Sequence, residues 1–216
     1  MVQGKLIELL RCFSNKQVKR FHDFVASPFF NNREEVTKLW RYLSDFAPSF
    51  NDEQGLKKEV VFHHIFPKKK FDDKELSYLA SWLQKLAEQF LVDEQIRSDE
   101  VFVKNKLLSI FDEHGLDKHY RSTEKEIDKL LKNQFHQDSR FYYNSFLLAE
   151  THNLHFDKQK KRTQDDSLQT AADNLDIFYL ATKLKFCCEI VNRKNWVAAD
   201  YDCLLYTSDA ADDGIR

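Results

Sequence analysis

The stretch Asp72-Asp-Lys-Glu-Leu-Ser-Tyr-Leu-Ala-Ser-Trp-Leu-Gln-Lys-Leu-Ala-Glu-Gln-Phe-Leu-Val-Asp-Glu-Gln-Ile96 decides the fold. Its apolar positions Leu76, Leu79, Ala80, Leu83, Leu86, Ala87, Phe90 and Leu91 fall three and four residues apart, the spacing of one helix face. Asp72-x-x-Glu75 is a capping-box-like signal at its head, with Asp in place of Ser or Thr.

Working towards the N-terminus, the same period returns. A first helix is expected over Lys5–Phe13, with Leu6, Leu9, Leu10 and Phe13 on one face. Ser14-x-x-Gln17 is a capping box that opens a second helix, carrying Val18, Phe21, Phe24 and Val25. Ser27-Pro28 stops it, because the residue before proline is pushed out of the α region. Phe29-Phe30-Asn31-Asn32 is the connector, and the Asn pair offers an N-cap for a third helix over Arg33–Phe46. Residues 48–56 read as a polar loop. A short helix over Lys57–Phe66 closes at Pro67, and Lys68–Lys70 form a basic turn.

Towards the C-terminus no proline follows Pro67, so helices are separated by capping residues alone. They are expected at about 98–114, 116–134, 139–161 and 167–194. Ser98 or Asp99 caps the first, and Gly115 sits at its C′ position. Asp138-Ser139 caps the third, and Asp165, Asp166 or Ser167 the fourth. The cations of Lys158–Arg162 suit the negative end of a helix dipole. Asn195-Trp196 reads as the start of a turn into a further helix. No run of β-branched residues alternates with polar ones. Glu59–Phe62 is the nearest strand candidate, and its neighbours favour a helix.

The expectation is an all-α chain, with an N-terminal three- or four-helix unit over 1–67 and an α-solenoid-like array of helical hairpins over 68–202. The tetratricopeptide signature is missing and the helix lengths vary, so that likeness is architectural only. Residues 203–216 depart from the Lys- and Phe-rich style of the rest. They are similar to the conceptual translation of a transposon-end sequencing adapter. On that reading they are a non-native tail, the natural sequence ceases to be visible near Asp202, and the array is truncated there. A truncated array leaves an uncovered apolar edge, for which self-association is expected.

Composition narrows the function. The 216 residues hold 33 Lys+Arg against 35 Asp+Glu, a net charge of −2, which argues against a dedicated nucleic-acid or membrane-surface protein. Only 4 Gly and 3 Pro leave no room for Gly-rich phosphate cradles or turn-dense β folds. Glu8 and Arg11 interrupt the opening apolar stretch, so no signal peptide is read, and no segment approaches the ~18 apolar residues of a membrane span. Cys12, Cys187, Cys188 and Cys203 show no CxxC spacing. They read as small buried apolar residues in a reducing compartment, hence a cytoplasmic protein.

The run Phe24-Val-Ala-Ser-Pro-Phe-Phe-Asn31, the run Leu175-Asp-Ile-Phe-Tyr-Leu-Ala-Thr-Lys-Leu-Lys185 and Asn192-Arg193 resemble an uncharacterised all-helical bacterial family. The likeness spans most of residues 5–202. Its motifs concern packing and turns, so it implies a fold and no activity.

Candidate chemistry is sparse. His152 and His155 share a helix at i, i+3, a metal-ligand spacing without further ligands in sequence, and read as a solvated or hydrogen-bonded pair. Of His63-His64, one is expected to pack and one to face water. His114 suits a helix C-terminus. Glu34-Glu35, Asp72-Asp73 and Asp165-Asp166 fall at helix starts, where capping explains them. No Glu-x-x-His, nucleophile elbow, P-loop or dinucleotide fingerprint occurs, so no catalytic residue, metal or cofactor is expected. The basic clusters Lys57-Lys58, Lys68–Lys70 and Lys158–Arg162 read as solvated helix faces. Phe accounts for 19 residues, and at Phe29-Phe30 and Phe141-Tyr142-Tyr143 successive rings cannot all face one core. Phe29, Phe30, Tyr142 and Tyr143 are therefore the candidate interaction surface for a protein or peptide partner. The leading expectation is a non-enzymatic helical scaffold. The alternatives are a nucleic-acid-associated regulator using the N-terminal helices and lysine clusters, and the N-terminal part of a larger enzyme.

Overall fold

The computed structural model describes residues 4–158, 166–194 and 196. Residues 203–216, and the cations beyond Lys158 in the 158–162 cluster, lie outside them, as do Asp165 and Asn195. Every regular element among the described residues is an α-helix, and none of those residues is in a strand. The chain divides into two compact units, Met1–Ser98 and Asp99–Arg216.

The first unit holds α1 (Lys5–Arg11), α2 (Asn15–Ala26), α3 (Glu34–Ser44), α4 (Lys58–Ile65) and α5 (Asp73–Ser98). The capping box forms as its spacing demands: the Ser14 hydroxyl accepts from the Gln17 N–H, and Gln17 Oε1 accepts from the Ser14 N–H at 2.9 Å. Asp72 Oδ1 accepts from the N–H groups of Lys74 and Glu75 at 2.8 and 3.2 Å. The apolar face of α5 packs against α1, α2, α3 and α4. The expected boundary between 67 and 68 therefore falls inside this unit. Periodicity shows that α5 has a buried face; it does not show which neighbours cover it.

The centre of this core is aromatic. The Phe21 ring sits 4.7 Å from Trp40, 5.3 Å from Phe13 and 5.2 Å from Phe90, at tilted or edge-on angles that suit ring quadrupoles. Trp40, Phe21 and Phe62 are completely buried. The segment expected as a polar loop over 48–56 contributes two more fully buried side chains, Phe50 and Leu56. Phe50 takes φ 49°, a left-handed conformation costly for a bulky residue, and the burial of its ring offsets that cost. Arg11 pins the loop by donating to the carbonyls of Ser49 and Phe50 at 3.3 and 3.1 Å. Tyr42 Oη donates to the Gly55 carbonyl at 2.8 Å, and a Cβ at Gly55 would fall 2.6 Å from the Phe46 ring.

The second unit holds α6 (Glu100–Glu113), α7 (Asp117–Lys132), α8 (Ser139–Lys158) and α9 (Ser167–Lys194). Asp99 caps α6 by accepting from the Phe102 N–H at 3.0 Å, and Asp138 accepts from the Phe141 N–H at 3.0 Å at the head of α8. Gly115, at φ 64°, ends α6: its N–H reaches the Asp112 carbonyl and the Leu116 N–H reaches Phe111, the paired bonds of a Schellman turn. α6 packs on α7 and on α8, and α9 packs on α8. The small core here is Val101, Leu108, Tyr120, Ile127 and Leu148. Two buried amides tie α6 to α8: Asn105 Nδ2 donates to the Asn144 carbonyl, and Asn144 Nδ2 donates to Asp99 Oδ1, both at 3.2 Å.

Cysteine burial departs from expectation. Cys187 is buried but disulfide-bonded rather than a reduced thiol, and Cys12 and Cys188 are exposed free thiols. Cys12 follows the last residue of the short α1, and Cys188 follows Cys187 by 100° around α9, so burying one turns the other outward.

Candidate functional site

Of the four predicted surface residues, Phe29 and Phe30 belong to the first unit, Tyr142 and Tyr143 to the second. Phe30 is half-buried, stacked on Phe24 with ring centroids 3.9 Å apart. Phe29 stands edge-on to Phe30 at 4.9 Å and is 87% exposed. Tyr142 is half-buried, edge-on to Phe141, and its hydroxyl donates to Gln137 Oε1 at 3.4 Å. Tyr143 meets Phe178 of α9 at 5.4 Å and is still 38% exposed.

The loop carrying Phe29 is held by Asn31. The expectation that the Asn pair caps α3 fails: Arg33 stands at the N-cap and no side chain caps the helix. Asn31 is buried instead. Its Nδ2 reaches the carbonyls of Val25 and Arg33 and the Thr37 hydroxyl at 3.0–3.1 Å, and its Oδ1 accepts from the Arg33 N–H at 3.0 Å. This joins the end of α2 to the start of α3 and leaves the loop little freedom. The guanidinium of Arg33 lies over Trp82 and Tyr78 of α5, 4.4 and 5.0 Å from the ring centroids, a cation–π arrangement.

No known protein family, curated protein or solved structure matches this chain. Any functional reading therefore rests on the residues alone.

Sequence reasoning also missed Phe135, in the link between α7 and α8, which is 98% exposed. The signal was present: a single ring among Asn133, Gln134, His136 and Gln137 has no apolar neighbour to pack with.

Of the histidine pair of α8, His155 is hydrogen-bonded, whereas His152 Nε2 has a carboxylate within ion-pair distance but no hydrogen bond among the described residues. His155 Nδ1 lies 2.6 Å from Asp112 Oδ1, and Lys158 reaches the other oxygen of the same carboxylate. The Tyr120 ring stacks on His155 at 4.1 Å, and His152 Nε2 lies 3.1 Å from Glu124 Oε1. A carboxylate that orients an imidazole is the geometry of an acid–base pair. Here, however, Lys158 shares the carboxylate and Tyr120 covers one face of the ring. The cluster is a clasp that fastens α8 to α6 and α7. No group of three or more His, Cys, Asp or Glu among the described residues is arranged to hold a metal.

Burial pushes the Asp112 carboxyl up, but the bonds from Lys158 and His155 outweigh it and hold it below the usual carboxylate range. Burial, with Glu124 and Asp112 nearby, pushes the Tyr120 phenol up. A lowered Asp112 stabilises the fold above its ordinary value and ceases to do so as pH falls through the lowered one. Asp112→Asn is expected to destabilise the second unit by about 1–2 kcal/mol at pH 7, since it removes charge-assisted bonds from a nearly buried carboxylate. Urea titrations at pH 7 and at pH 3 check this: the difference between variant and parent shrinks at the lower pH.

The remaining polar candidates are occupied or exposed. Lys58 pairs with Asp73 at 2.6 Å, and Lys69 pairs with Glu75 at 2.7 Å while lying over the Phe66 ring. His63 and His64 both keep exposed surface, because Val61, Phe62 and Ile65 fill the buried face of α4, and of the two His64 packs its ring against Tyr42 at 4.4 Å. A cleft of about 190 Å³ between α1, α4 and α5 is lined by Leu6, Leu76 and Ala80 with Lys5 and Lys58 at its edge. It is smaller than the roughly 300 Å³ at which ligand pockets begin. No helix among the described residues is long and apolar enough to cross a membrane.

Proposed function

We propose that this protein is a helical interaction module that takes a protein or peptide partner on the Phe29 loop. One observation carries the reading: a phenyl ring 87% exposed on a loop pinned by a buried asparagine. Binding hot spots are aromatic and Arg anchors that lose little freedom on docking. Phe29 supplies the ring, Asn31 has already restricted its loop, and the same loop presents Arg33 stacked on Trp82 and Tyr78. α6 to α9 are read as a short hairpin array of the α-solenoid type, supported by the succession of α7, α6, α8 and α9.

Photo-crosslinking tests the reading. A benzoylphenylalanine at position 29, in extract of the source cells, is expected to give a discrete adduct. The same probe at position 135, equally exposed but in the link between α7 and α8 and away from Asn31 and Arg33, is expected to give none. Identical smears from both positions, or no adduct at 29, would sink the proposal. Phe29→Ala removes no core contact beyond the edge of Phe30, so it is expected to change stability by no more than about 0.5 kcal/mol and to abolish competition for the adduct.

A further inference from the structure

α5 carries one stripe of side chains outside its buried face. Lys74, Tyr78, Trp82 and Lys85, spaced four, four and three residues apart, fall within about 80° of one another around the helix. Lys74, Tyr78 and Lys85 are exposed and Trp82 is half-buried. Arg33, at the N-cap of α3, lays its guanidinium over the two rings, 4.4 Å from the Trp82 centroid and 5.0 Å from that of Tyr78.

The three cations of this surface are unpaired. Arg11, Arg20 and Arg97 of the same unit give their N–H groups to carbonyls or carboxylates. The guanidinium of Arg33 makes no hydrogen bond or ion pair with any described residue, and neither does the ammonium of Lys74 or Lys85. Of the carboxylates close to them in sequence, Glu34 pairs with Lys38, Asp73 with Lys58 and Glu75 with Lys69, Asp72 caps α5, and Glu88 accepts from the Gln84 amide. Glu35 alone stands unpaired against the three cations. A guanidinium lying over rings is held in place and keeps its N–H groups for an acceptor, and its planar fork fits a carboxylate.

Charge therefore selects what docks beside the Phe29 loop. We propose that the partner presents an acidic segment to this stripe, with one carboxylate on Arg33, others towards Lys74 and Lys85, and an apolar side chain against Phe29. Phe29 precedes Arg33 by four residues and so lies within about 14 Å of it. Lys74 and Lys85 stand about 16 Å apart along α5, the span of about five extended residues or eleven helical ones. A single nucleic-acid strand would also meet cations and rings. Its bases, however, need the ring faces over which Arg33 already lies, and the chain has a net charge of −2. This partner chemistry rests on the reading of the Phe29 loop as a docking site.

Fluorescence anisotropy of the full chain tests it, with a labelled pool of peptides about twelve residues long drawn from Asp, Glu, Leu and Phe. The pool is expected to bind, and to bind about tenfold more weakly when Asn and Gln replace its acidic residues or when salt rises from about 50 to about 300 mM. Arg33→Gln and the double variant Lys74→Glu/Lys85→Glu are each expected to weaken binding about tenfold with helical circular dichroism unchanged. Arg33→Lys is expected to recover only part of the loss, because an ammonium lacks the fork. An acidic pool that does not bind, an amide pool that binds as well, or binding indifferent to the Arg33 and lysine variants overturns the inference. Tighter binding of a labelled oligothymidylate overturns it too, and makes the occupant a nucleic acid. A benzoylphenylalanine adduct at position 29 that persists in the Arg33→Gln chain overturns the acidic partner alone and leaves the Phe29 loop a docking site. No adduct at position 29 in any background fails the docking reading itself, and the inference with it.

Discussion

Trp40→Ala is expected to destabilise the first unit by about 3–5 kcal/mol, the range for deleting a large aromatic from a packed core. Trp40 has no exposed surface, stands 4.7 Å from Phe21, and lies on the one helix, α3, that meets α2, α4 and α5 together. The surrounding rings, locked edge to face, have little room to collapse into the space. Trp40→Phe is expected to lose much less. The indole Nε1 is buried without a hydrogen-bond partner among the described residues, so the exchange also removes an unsatisfied N–H. Hydrogen exchange resolved by helix checks both. Amides of α2, α3 and α5 lose protection in Trp40→Ala, while those of α6 to α8 keep it, because Trp40 belongs to the other compact unit. Equal loss in both units would contradict the division at Ser98.

Asn31→Ala is expected to cost about 2–3 kcal/mol, far more than an ordinary loop exchange. The side chain is 6% exposed and satisfies the Val25 carbonyl at the end of α2 and the Arg33 N–H at the start of α3. Removing it strands backbone groups that water reaches poorly, and each stranded group costs about 1–3 kcal/mol. Asn31→Asp keeps the acceptor for Arg33 but turns two donated bonds into repulsion between oxygens, so it is expected to be as damaging as alanine at neutral pH. Thermal unfolding of the parent and the two variants measures this. A loss under about 0.5 kcal/mol for alanine, the range of ordinary surface exchanges, would mean that the loop holds its shape without Asn31. The pinned geometry on which the role of Phe29 depends would then fall with it.

Local chemistry was legible residue by residue. Ser14 with Gln17, Asp72, Asp99, Asp138 and Gly115 each act on groups within a few positions, so their spacing carries the whole of the physics. Asn31 was misread because its partners at Val25 and Thr37 lie six residues to either side, and only the packing of α2 against α3 brings them together. Phe50 and Leu56 looked like loop residues because their neighbours are polar. They are buried among core residues far away in sequence, and Arg11, almost forty positions before Phe50, bonds to the carbonyls of the segment. The clasp at Asp112 shows the same limit. His155 and His152 were visible as a pair on one helix, but the carboxylate that orients His155 lies 43 positions earlier.

The amino-acid sequence by itself determined that the chain is helical, where most of its helices start and stop, and which face of each is apolar. Those properties follow from contacts three and four residues apart. Tertiary structure decided what each apolar face meets. It assigned α5 to the N-terminal core rather than to the later helices, buried Phe50, and packed Tyr143 on α9 while leaving Phe29 in the open. A period of 3.6 residues records that a face is to be covered; the covering surface is chosen only when distant helices compete to bury it.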